Sequence, residues 1–156
     1  MDPSLIWPAI LVAAIFLGLH GAYFGALSDA CLKIGTRLEG ASEGTTGFQD
    51  AITPPSSTNA RLLNWLTTLI LTGVSWYFFG VTGVAVFLVV RVLATIILGA
   101  MLKADPPKKH FCRKVYSSMS NREADFAKAG DNVRAEAMRD LREQFERSSY
   151  ARQLGQ

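Results

Sequence analysis

Apolar residues gather in two long blocks, and their lengths predict the architecture. Leu5 to Leu27 is an apolar segment of 23 residues, enough for one helix across a hydrocarbon core of about 30 Å at about 1.5 Å per residue. The start, Met1-Asp2-Pro3-Ser4, has no basic n-region, and the run exceeds a typical signal h-region, so a retained span is expected. Pro8 is placed in the first turn of that helix, where a missing N–H costs little. The second block, Leu62 to Leu102, holds 41 residues and a single charge, Arg91. As one helix it would run about 60 Å, twice the bilayer core, so it must fold back. Gly80-Val81-Thr82-Gly83 is the turn-like cluster near its middle, which leaves spans over 62–79 and 84–102.

The prediction is an all-α integral membrane protein with three transmembrane helices, one N-terminal span plus a helical hairpin, and a cytoplasmic C-terminal amphipathic helix. Its segments are a first span (1–28), a loop (29–61), the hairpin (62–102) and a basic juxtamembrane segment with a helical tail (103–156). The first helix is expected to run on through Ile34 and to end by Gly40. Gly40 to Asn59 is rich in Gly, Ser, Thr and Pro and reads as linker, with Pro54-Pro55-Ser56-Ser57 extended and Asn59 capping the second span. Pro106-Pro107 stops the third helix. Ser120-Asn121-Arg122-Glu123 reads as a capping box opening a tail helix over about 121–148. On that helix Phe126, Gly130, Val133, Ala137, Leu141 and Phe145 form a narrow apolar stripe, expected to pack on a partner, a second copy or the membrane surface.

Charge fixes the orientation. Residues 103–156 carry 20 of the 29 charged side chains, twelve of them Lys or Arg, and residues 3–28 carry none. The loop adds Lys33, Arg37 and Arg61, whereas the N-terminus and the 80–83 turn have no Lys or Arg. The positive-inside rule then puts the N-terminus outside and the loop and tail in the cytoplasm. Lys103, Lys108, Lys109, Arg113 and Lys114 cluster beside the third span and suit anionic lipid headgroups. The mixed signs of the tail argue against a nucleic-acid surface. Cys31 and Cys112 fall on the reducing side and read as free thiols.

Arg91 is the first candidate for function. A charge near the bilayer centre costs at least about 2.5–3.5 kcal/mol, and the spans contain no Asp or Glu to pair with it. Reflection of the hairpin about its turn sets Arg91 level with Thr72, on a polar stripe of Asn64, Thr68, Thr72 and Ser75. Its partner is expected to be these hydroxyls, a neighbouring subunit, a lipid phosphate or a bound anion. His20 lies between Phe16 and Phe24 on one face of the first helix. Ala14, Gly18, Ala22 and Ala26, with Gly21 and Gly25 alongside, form a small-xxx-small surface for close helix packing.

No P-loop, dinucleotide fingerprint, HExxH or paired CxxC is present, and no cofactor or metal is expected. The function expected is that of a non-catalytic accessory or scaffolding subunit, meeting other membrane proteins or copies of itself through its spans and recruiting through its tail. The alternative is a homo-oligomeric pore lined by Arg91 and the Thr/Ser stripe; in topology the chain is similar to class I phage holins. A membrane enzyme is the remote alternative: Arg91-Val92-Leu93 looks like the Arg-bearing third helix of the MAPEG glutathione-dependent family. That family's fourth helix and its N-x-x-E pattern after the first loop are missing.

Overall fold

A computed structural model describes residues 3–38 and 55–154, with side chains over 6–38 and 58–152 and at Leu154. The described residues are helical apart from short connections: α1 (Pro3–Leu38), α2 (Pro55–Leu102), α3 (Lys109–Lys128), α4 (Asn132–Arg147) and a single turn, α5 (Ala151–Leu154). Two of these, α1 and α2, are long and apolar enough to cross a membrane. Most of the expected linker, 39–54, lies outside the described residues.

α2 is 48 residues long and is interrupted at Gly80, whose φ of 62° and ψ of −154° fall in a region essentially restricted to glycine. The chain reverses there. Arg91 and Asn64, about 40 Å apart on a straight helix, come within 3.0 Å across the two arms, 55–79 and 81–102. The expected four-residue turn contracts to Gly80 alone, because Val81, Thr82 and Gly83 are already helical. Gly83 permits this tightness: a Cβ there would overlap the Cβ of Phe79 and stand 2.9 Å from the Ser75 carbonyl. The start of α2 also corrects the sequence reading. Residues 55–57 are helical rather than extended, with Pro55 in the first position, where its fixed φ suits a helix, so Asn59 lies inside the helix and caps nothing. Pro8 likewise sits in the second turn, since α1 begins at Pro3.

The described residues divide into two compact units. In the first, the chain up to Ala26 packs against both arms of α2. Its core is Ile10, Ala14 and Leu17 of α1 around Phe87 of the second arm, flanked by Leu71 and Val74 of the first. Asn64 Nδ2 donates to the Leu17 carbonyl at 3.1 Å, tying the first arm to the α1 backbone, while Thr95 Oγ1 of the second arm donates to the Arg91 carbonyl of its own helix at 2.9 Å and lies 3.3 Å from the Gly18 carbonyl.

The second unit comprises residues 27–38 of α1 and residues 103–154. Its interior is built from Cys31 and Ile34 of α1, Phe111, Cys112, Val115 and Met119 of α3, and Phe145 and Tyr150 further on, all buried. Lys33 Nζ reaches the Ala104 carbonyl at 3.2 Å, Arg37 pairs with Asp105 at 3.4 Å, and the Tyr150 hydroxyl donates to the Lys33 carbonyl at 3.5 Å. Those contacts make the end of α1 part of the tail's core.

The single tail helix expected over 121–148 is two helices. Gly130, at φ 78°, adopts the left-handed conformation that ends α3, and its N–H bonds the Ala127 carbonyl at 3.2 Å. Asp131 then caps α4 by accepting the Arg134 N–H at 3.1 Å. The Ser120–Glu123 box lies inside α3, and Glu123 reaches across to α4, pairing with Arg139 at 3.1 Å and Arg142 at 3.4 Å. The apolar stripe is divided with the helix: Phe145 is fully buried, Phe126 and Leu141 are half-buried, and Val133 is 80% exposed.

Candidate functional site: the two-arginine groove

The groove at Arg91 is assembled by the spacing of residues on three helical segments of the first unit. On the first arm of α2, Arg61, Asn64 and Trp65 stand three and four residues apart and share one face. On α1, Gly21 and Gly25 share another, with Phe24 beside them. The second arm contributes Arg91. Together these seven residues line a cavity of about 220 Å³.

Both guanidinium groups are only partly used by the protein. Arg91 Nη2 donates to Asn64 Oδ1 at 3.0 Å, and its charge stands 5.6 Å from the centre of the Trp65 ring, a cation–π contact. Its Nε is buried and has no hydrogen-bond partner. Arg61 Nη2 donates to the Phe24 carbonyl at 3.4 Å. An arginine carries five N–H donors, so each head keeps donors to spare at the cavity. There is no acidic residue between Leu62 and Leu102, or on α1 before Asp29. The site is cationic, otherwise mostly apolar, and suited to an anion.

Reflection about Gly80 sets Arg91 opposite Leu69, between Thr68 and Thr72, but its head bonds Asn64 of the stripe and none of the hydroxyls. Thr68, Thr72 and Ser75 donate to the carbonyls four residues back, at 2.7, 2.8 and 2.7 Å, closing their hydrogen bonds within their own helix. Arg91 stands 11 residues after Gly80 and Asn64 stands 16 before it. That five-residue offset is about 7.5 Å of helical rise, which the long arginine stem covers by reaching away from the turn.

The remaining candidates fall in separate places. Ala14, Gly18, Ala22 and Ala26 are buried, Gly21 is half-buried and Gly25 exposed. Gly18 makes the closest approach, since a Cβ there would lie 2.6 Å from Ala94 Cβ and 2.8 Å from the Arg91 carbonyl. The His20 ring stacks on Phe24 with centroids 4.9 Å apart and meets Phe16 edge-on at 6.2 Å, and its Nε2 is buried without a partner. It faces an apolar groove of about 380 Å³ that Leu19, Tyr23 and Leu102 also line. In the second unit Lys103, Lys108, Lys109, Arg113 and Lys114 are all exposed. Cys31 and Cys112 are buried free thiols, and burial pushes the Cys112 thiol up from its ordinary pKa. Among the described residues no group of three or more His, Cys, Asp or Glu is placed to hold a metal ion.

Sequence reasoning missed Arg61 and Trp65 as parts of the Arg91 site. The signal lies in the Arg61–Asn64–Trp65 spacing, but a first span started at Leu62 leaves Arg61 among the loop charges. No protein family, no curated protein and no solved structure matches the chain.

Proposed function

We infer that the chain is a three-span integral membrane protein, N-terminus outside and tail in the cytoplasm, serving as a non-catalytic accessory or scaffolding subunit of a larger membrane complex. The arms 55–79 and 81–102 are each long enough for a core of about 30 Å, and the Lys/Arg asymmetry supports the orientation. The observation that carries the subunit reading is the outward surface of α2, whose most apolar stretch is only 11% buried, against 39% for α1. Leu62, Leu66, Leu69, Ile70 and Trp76 all project from it. Lipid and neighbouring membrane helices are the surroundings such a face suits. On the cytoplasmic side the five exposed Lys and Arg near residue 108 draw anionic headgroups at about 1 kcal/mol each, less at high salt.

The same geometry favours a subunit over a self-assembled pore. Asn64, Thr68 and Ser75 are buried inside the chain's own bundle and their polar groups are satisfied there, so they offer little lining to a water path between copies. Purification of the full chain in mild detergent, with mass spectrometry of the intact assembly, tests the reading. A complex of fixed stoichiometry with another membrane protein is expected. A closed ring of identical copies that conducts ions in a planar bilayer would replace it with the pore.

A further inference from the structure

We propose that the groove between Arg61 and Arg91 is a binding site for a phosphate anion, supplied by a phospholipid headgroup of the cytoplasmic leaflet. The inference rests on the three-span reading but assigns a ligand that reading does not contain. Two guanidinium groups line one cavity with no carboxylate among its lining residues, and each makes one side-chain hydrogen bond within the protein, to Asn64 and to the Phe24 carbonyl. Phosphate oxygens match the forked guanidinium geometry.

The position fits a headgroup. Arg61 lies at the end of the first arm away from Gly80, the end that the positive-inside rule assigns to the cytoplasmic face. Arginine stems reach from the apolar region toward the interface at such a level. The groove walls fit the rest of the molecule: Trp65 and Phe24 supply apolar surface beside the cations, and Gly25 is open, since a Cβ there would meet nothing within 4 Å. A cavity of about 220 Å³ has the volume of about seven waters, room for a phosphate and the glycerol carbons it esterifies while the acyl chains stay outside. Asn64 and the Trp65 face hold the Arg91 head in place, so the donors are preset.

The test uses the delipidated full chain in mild detergent and three probes: dioleoyl phosphatidic acid, dioleoylglycerol, which lacks the phosphate, and inorganic phosphate. Retained ligand is read by native mass spectrometry. One phosphatidic acid per chain is expected, with little retention of dioleoylglycerol. Arg61→Gln and Arg91→Gln should each weaken retention tenfold or more, whereas Arg91→Lys should keep part of it because the charge remains. Gly25→Leu leaves both arginines in place but fills the groove, and should weaken binding without unfolding the bundle. Lys128→Gln with Arg152→Gln, two exposed cations away from the groove and from the basic cluster, should leave retention unchanged. Equal retention of dioleoylglycerol, or indifference to Arg61, Arg91 and Gly25, overturns the proposal. Arginine-dependent binding of inorganic phosphate without retention of phosphatidic acid assigns the site to a soluble anion and overturns the lipid source. A protein that leaves with the arginines when no lipid is retained overturns it in favour of a partner carboxylate. Alkaline carbonate extraction separates the two levels: release of the native chain from membranes defeats the three-span reading itself, and retention with any of the failures above defeats the lipid site alone.

Discussion

Gly18 is where the bundle has least room, and the consequence of adding one methyl group can be worked out. A Cβ at Gly18 would stand 2.6 Å from Ala94 Cβ, 2.8 Å from the Arg91 carbonyl and 3.2 Å from the Thr95 amide. Carbon atoms in good contact are about 3.5–4.0 Å apart, so α1 and the second arm must separate by about an ångström. Overpacking of this kind costs about 1–3 kcal/mol. Against this, alanine gains up to about 1 kcal/mol of helix propensity over glycine. Gly25→Ala collects the gain without the cost, since a Cβ there meets nothing, and Gly21→Ala meets only Thr95 at 3.7 Å and 3.9 Å. Gly18→Ala should therefore be less stable than Gly25→Ala by about 1–4 kcal/mol, read as a lower midpoint in denaturing-detergent titrations followed by circular dichroism. Coincident midpoints for the two variants would refute the close packing at Gly18.

Single cysteines at Ser4, Thr82 and the exposed Ser117, in a background with Cys31 and Cys112 replaced, should label from outside intact cells at 4 and 82 but not at 117; the reverse pattern defeats the orientation. In the native chain Cys31 and Cys112, 1% and 0% exposed, should resist a maleimide and react once the protein is unfolded, so labelling of the folded chain within minutes would contradict their burial. Tyr116 donates to Glu146 at 2.7 Å, and that hydrogen bond, then burial, raises its pKa; burial likewise raises that of Tyr150. A phenol raised in the folded state stabilises it fully below the unfolded value of about 10, and the contribution is lost as pH rises through the higher folded value. The tail helices should accordingly lose stability above about pH 10, and Tyr116→Phe should flatten that loss in helicity measured by circular dichroism; an identical alkaline profile for the variant would remove Glu146 from the account.

The helical elements were legible where composition alone decides them. The apolar block ends at Leu102, as read, because the charges of the tail begin at Lys103, and α1 runs on to Leu38, just short of Gly40. Boundaries that depend on backbone conformation were harder. Gly130 was read as a small member of an apolar stripe, although its left-handed φ ends one helix and Asp131 starts the next; periodicity continues smoothly through a residue that the backbone uses as a stop. At the candidate site, reflection about a turn aligns Cα positions but ignores side-chain length. It therefore paired Arg91 with Thr72 and passed over Asn64, which the extended guanidinium reaches. Arg61 was visible only as a loop charge because the start of α2 was placed too late.

On the three-span reading proposed above, the reversal at Gly80 bears on how the chain enters the bilayer. Asn64 and Trp65 leave the ribosome 27 and 26 residues ahead of Arg91, and both belong to the arm against which Arg91 comes to lie. When the second arm is presented to the membrane, its guanidinium already has an acceptor and an aromatic face within the same hairpin, without waiting for a subunit or for α1. The pair of arms is thereby suited to enter as one object, with the hydrophobicity of the whole hairpin carrying a charge that either arm alone would carry less well. In that sense the first arm of α2 is an escort for the second.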